Sequence, residues 1–128
     1  MFNPKYKTGA TQPWEFYPAA AGTYVVGQLL NLTGGKLTAV SAASKTTPGY
    51  LCCGNVTVAE GDVVPVIHIE AGEILVTQLS AEAASAAPGT MLEVSAGGLQ
   101  VDGAAAGTFE VTFLEGTAAG STVWGRFH

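Results

Sequence analysis

Charge is the scarcest commodity in this 128-residue chain: only 12 % of its residues are Asp, Glu, Lys or Arg. Five are basic, and Lys5, Lys7 and Arg126 lie near the two ends. Residues 19–128 carry three basic and nine acidic groups. Nucleic-acid binding needs clustered Lys and Arg to displace phosphate counterions, so DNA and RNA are not expected partners. Two cysteines, Cys52 and Cys53, are all there are. Adjacent residues on a strand point to opposite faces, and a ring between them would be strained, so free structural thiols are expected. No long apolar run is present either. The longest uncharged stretch, Phe16 to Gly35, is broken by Pro18, Gly22, Gly27, Gln28 and Asn31 and does not read as a membrane span. Met1-Phe2-Asn3-Pro4-Lys5 is not the start of a signal peptide, so assembly in a cytoplasm is expected.

Catalytic groups are equally sparse. His68 is the one histidine away from the C-terminal residue, and His68-x-Glu70 lacks the downstream Pro-Cys-x-x-Cys of a zinc deaminase. Zinc takes three or four ligands, and two ligand types do not supply them. Gly34-Gly35-Lys36 lacks the spacer and the Ser or Thr of a phosphate loop. Glu60/Asp62 and Glu70/Glu73 each flank a turn glycine, where solvated acids are ordinary. Asn31-Leu32-Thr33 and Asn55-Val56-Thr57 match a glycosylation pattern that carries no weight without a secretory signal. No enzyme, no cofactor and no metal site is expected.

What is present is strand and turn. Mean hydropathy of +0.32 with little charge excludes a disordered chain, and the length fits one domain. From Thr23 onward, short runs rich in Val, Leu, Ile and Tyr alternate with Gly-containing turns at roughly ten-residue spacing. Gly34-Gly35 suits a two-residue hairpin, and Gly97-Gly98 marks a second turn. Phe109, Val111 and Phe113 alternate with Glu110 and Thr112, which predicts one buried face. Pro65 inside Val63–Ile69 predicts an edge or a bulge. Ser80–Ala87 is Ala-rich and admits a helical turn before Pro88-Gly89. The expectation is an all-β fold, a small antiparallel barrel or sandwich of about nine short strands over residues 19–128.

Residues 1–18 differ. They hold five of the eleven aromatics (Phe2, Tyr6, Trp14, Phe16 and Tyr17) and three of the six prolines. Neither helical nor alternating periodicity is visible, so an extended arm is expected. Fully extended, it reaches about 60 Å, past a domain about 36 Å across. Its ordering entropy is comparable to what its aromatics gain on burial, so it orders only on a preformed surface. That surface belongs to its own domain or to a neighbour. The prolines oppose compact self-folding, which favours the neighbour.

The run from Ala21-Gly22-Thr23-Tyr24 through Gly34-Gly35-Lys36-Leu37 resembles the head decoration (capsid cement) proteins of tailed bacteriophages. So do Val63-Val64-Pro65-Val66-Ile67, the segment Leu114–Val123, and an aromatic Pro13–Pro18 arm ahead of the strands. The resemblance covers most of the chain. It implies a small β-barrel bound to the outer face of a capsid, commonly as trimers where capsomers meet, that stabilises the expanded shell. Its expected partners are the major capsid protein and sister subunits in a homotrimer, its location the virion exterior, and neither membrane nor nucleic acid is involved. No catalytic residue carries over, and neither Cys52-Cys53 nor His68 is a mark of the family. The competing expectation is a carbohydrate- or receptor-binding module of a tail fibre or cell surface, with Tyr24, Tyr50 or Trp124 exposed.

Overall fold

A computed structural model describes residues 1–6, 13–41 and 46–128, together with all side chains among them except that of Tyr6. The described residues form thirteen strands and no helix. In chain order these are β1 (Asn3–Tyr6), β2 (Glu15–Pro18), β3 (Gly22–Tyr24), β4 (Leu29–Thr33), β5 (Lys36–Ala39), β6 (Tyr50–Cys52) and β7 (Val56–Val58). There follow β8 (Val63–His68), β9 (Ile74–Gln78), β10 (Met91–Val94), β11 (Val101–Ala105), β12 (Phe109–Leu114) and β13 (Thr122–Arg126). The all-β expectation holds, as a sandwich-like arrangement. Eleven of the strands fall in residues 19–128, where about nine are expected, because three-residue strands carry too little alternation to stand out. Ser80–Ala87 forms turns, with Ala86 N–H donating to Ala83 C=O at 2.9 Å, and not a helix.

A six-stranded antiparallel sheet runs β1-β9-β13-β12-β10-β11, and a five-stranded one runs β2-β8-β6-β4-β5. β3 and β7 pair as a separate ribbon. The five-stranded sheet is the middle layer, which is why its strands read as continuous apolar runs. Leu29, Leu51 and Ile67 point to the larger core shared with the six-stranded sheet, among Leu75, Leu92, Phe109 and Val123. Their chain neighbours Leu30, Cys52 and Val66 point the other way, into a second core with Leu37 and Tyr24. Cys52 is thus a core residue. The five-stranded sheet curls around that second core, and its edges meet at one parallel bridge, Ala19↔Leu37. One bridge does not close a barrel.

Two glycine turns fix these layers. Gly34 and Gly35 have φ of +60° and +80° and join β4 to β5 with Thr33 opposite Lys36, which is the positive-φ geometry a two-residue hairpin needs. The turn at Gly97-Gly98 docks onto the other sheet: Leu29 N–H donates to Gly98 C=O at 2.8 Å, and Gly97 N–H to Val40 C=O at 2.9 Å. A Cβ on Gly98 would lie 2.4 Å from the Leu29 carbonyl oxygen, so only glycine allows this approach.

Pro65 does not mark an edge, since β8 lies between β2 and β6. The β6 ladder ends at Cys52↔Val66, and Pro65 answers the end of that strand, accepting from Cys53 N–H at 2.9 Å. Its missing donor therefore costs no ladder bond. Phe113 departs from its expected face as well. A bulge sets two β12 residues against one on β13 between Val111 and Phe113, and Phe113 turns outward, 46 % exposed.

The described parts of residues 1–18 are extended but belong to the fold. β1 pairs with β9, and β2 pairs with β8 through four residues. Phe2 is 1 % exposed. Its ring packs edge-on against Phe109 at 5.7 Å, and its N–H donates to Gly27 C=O at 2.8 Å. The boundary expected after Pro18, and the role of Phe2 as a partner anchor, are corrected accordingly. Phe2 fills a place in its own domain's core and needs no neighbour to bury it. Residues 7–12, the middle of the expected arm, lie outside the described residues.

Candidate partner-binding surface

β2 is an edge strand, and its alternation separates the arm aromatics by face. Glu15 and Tyr17 point one way, opposite the buried Val66 and Val64. The Tyr17 hydroxyl donates to Glu15 Oε1 at 2.8 Å, and its ring packs against Tyr50 at 5.2 Å, which in turn meets His68 at 5.4 Å. The Glu15 carboxylate accepting this bond keeps the Tyr17 phenol protonated well above its ordinary range. Tyr17 is half-buried and spends its hydroxyl inside the fold.

Phe16 points the other way, and it and Trp14, just ahead of β2, are each 60 % exposed. Phe16 lies across from Pro65, and Pro18 from Val63, itself 57 % exposed. By alternation along β8, Val63 and Pro65 share the face of Ile67, which packs on the core between the sheets. The six-stranded sheet covers that face at Ile67 and Leu51 and stops short of β2. The strip of exposed Trp14, Phe16 and Val63 with the half-buried Pro65 is thus the uncovered margin of an inter-sheet surface. Two aromatics at this exposure present roughly 250 Å² of apolar surface.

The exit of β2 is held firmly. Ala19 N–H donates to Asp62 C=O, Gly61 N–H to Ala19 C=O, both at 2.9 Å, and Ala20 N–H to Leu37 C=O at 3.0 Å. Glu60 accepts from Ala21 N–H at 3.0 Å and ion-pairs with Lys36. Those contacts, Lys36 foremost, hold the Glu60 carboxyl below its usual range. Strip residues are therefore presented from a fixed backbone, which lowers the ordering entropy of docking.

Of the five aromatics expected to bind partners, Trp14 and Phe16 stand on the surface and Tyr17 beside it on the inner face. Phe2 is in the core, and the Tyr6 side chain lies outside the described residues. The sequence does not mark Val63 and Pro65 as surface residues for a partner. Their signal, an apolar pair at i and i+2, is the same as that of a buried strand face.

Several polar groups elsewhere have structural occupations. Asp62 Oδ2 accepts from Ala59 N–H at 3.1 Å, and the buried Glu73 accepts from Glu70 N–H at 3.4 Å, each closing its own turn. Both cysteines are free. The Cys52 thiol is directed at Gly54 C=O at 3.2 Å, and burial pushes both thiols up, away from the reactive thiolate. His68 is exposed at the rim of a shallow pocket of about 240 Å³ that Glu70, Phe127 and His128 also line. Among the described residues, no three His, Cys, Asp or Glu side chains gather as a metal site. Tyr24, expected on the surface of a binding module, is 4 % exposed and donates to Ala20 C=O at 2.7 Å. Comparison with known proteins gives no matching family model and no matching curated sequence.

Proposed function

We propose that this protein is a structural virion subunit of the head decoration kind, which binds the exterior of a tailed-phage capsid and stabilises the shell through protein–protein contacts. The observation that carries the proposal is the Trp14–Phe16 strip, two large aromatics 60 % exposed, one just before and one on an edge strand whose exit is clamped on both sides of Ala19. A few large side chains, tryptophan prominent among them, dominate interface energetics. In the proposed arrangement the strip faces the major capsid protein or a sister subunit, with three copies around a symmetry axis. A mostly neutral, slightly acidic surface suits the outside of a DNA-filled shell better than its inside.

The test is a titration of shells purified without this subunit, using wild-type protein and the Trp14→Ala and Phe16→Ala variants, with melting curves alongside. Weakened shell binding at unchanged melting temperature supports the proposal. Wild-type affinity in the double variant would remove its basis.

A further inference from the structure

A pocket of different chemistry opens where the pairing of β4 with β6 ends. β6 begins at Tyr50, opposite Leu30, while β4 runs on through Asn31 and Leu32 to Thr33. Thr47 ahead of β6 and Ser41 beyond β5 border the gap so left, which encloses about 350 Å³, within the range of small-ligand sites. Thr33 and Lys36 face each other across a two-residue turn, so by alternation the N–H and C=O of Leu32 point away from β5, toward the gap. Side chains of two kinds share the lining. Leu32, 41 % exposed, and Tyr50 are its apolar walls, and the Tyr50 ring is held by Tyr17 at 5.2 Å and His68 at 5.4 Å. Asn31, Thr33, Ser41 and Thr47 add one amide and three hydroxyls. Among the described residues none of these four side chains has a hydrogen-bond partner, whereas Thr77, Ser80 and Ser95 donate to backbone carbonyls. Asn31 is half-buried between two leucines of its strand, where an amide costs free energy unless it is bonded.

We infer that this pocket binds a saccharide, with a pyranose ring against Tyr50 and Leu32 and its hydroxyls on the polar side chains around them. A pyranose carries apolar C–H faces and hydroxyls that both donate and accept. Amide and hydroxyl side chains also do both, so each can meet such a partner in either sense. A phosphate or carboxylate ligand is recognised by Lys, Arg or a helix N-terminus. No charged side chain lines this pocket, and the described residues form no helix. A wholly apolar ligand would desolvate four polar groups and pair none of them. The pocket shares no residue with the Trp14–Phe16 strip, and the inference does not rest on shell binding.

Isotope-labelled protein is titrated with maltotriose, mannotriose, galactotriose and N-acetylchitotriose, and amide shifts are followed by NMR. Saturable shifts at Asn31, Thr33, Ser41, Thr47 and Tyr50 with at least one trisaccharide are expected. Asn31→Ala should weaken that binding about tenfold and Thr47→Ala about threefold, while Trp14→Ala leaves it unchanged. Thr47 is exposed, so its variant should melt as wild type and carries the test if Asn31→Ala lowers stability. No saturable shift with any of the four sugars, shifts confined to other residues, or wild-type affinity in both variants would overturn the inference.

Discussion

Phe2→Ala separates a strand built into its own domain from an arm that docks elsewhere. Phe2 is 1 % exposed, lies in the larger core and meets Phe109 edge-on at 5.7 Å. Truncating a phenylalanine so placed costs about 3–5 kcal/mol, the transfer free energy of the ring plus the cavity it leaves. A chain of 128 residues has an unfolding entropy near 0.27 kcal/mol/K at the midpoint, so the melting temperature should fall by about 11–19 °C. Phe2 N–H still reaches Gly27 C=O in the variant, so β1 stays in register and the loss reports the side chain. The assay is calorimetric unfolding of wild type, Phe2→Ala and Trp14→Ala in parallel. Trp14→Ala, a surface truncation, should stay within about 0.5 kcal/mol of wild type. A Phe2→Ala protein that melts with wild type would refute the placement of β1 and return the N-terminal segment to the role of a free arm.

Other outcomes follow from the same geometry. In shell binding, Trp14→Ala and Phe16→Ala should each cost about 2 kcal/mol, near thirtyfold, with the double variant approaching a thousandfold if the two are independent. Glu60 has a depressed carboxyl pKa in the folded state, so its contribution is present above the unfolded value of 4.5 and is lost as pH falls through the lower folded value. Urea unfolding between pH 3 and 7 should therefore show a shallower acid loss for Lys36→Met than for wild type, and parallel curves would refute the pair's role. Ellman's reagent at pH 7.5 should label both thiols quickly only after denaturation, because burial raises both in the native state. Gly98→Ala should destabilise by more than about 1 kcal/mol, since its φ of +77° and the Leu29 carbonyl both oppose a Cβ. An unchanged melting temperature would exclude the close docking of that turn.

Much of the architecture is written in local pattern. Short apolar runs punctuated by glycine specify strands and turns wherever they occur, because period-two burial and positive-φ turns are properties of a few consecutive residues. The Gly34-Gly35 hairpin, the free thiols and the absence of any helical periodicity all belong to that level. Which face of a strand is covered does not. Phe2 and Phe16 are both aromatics in a proline-rich segment, yet one is sealed in the core and the other 60 % exposed, because the six-stranded sheet extends over one and ends before the other. Pro65 looks like an edge marker until β6 is seen to stop beside it, and Phe113 looks like a core residue until a one-residue bulge turns it out. The composition of the Trp14–Phe16 strip, with Val63 and Pro65 some fifty residues away in sequence, was decided by the pairing of β2 with β8. Strand pairing over such distances depends on how two sheets share one core, and no window of neighbouring residues contains that information.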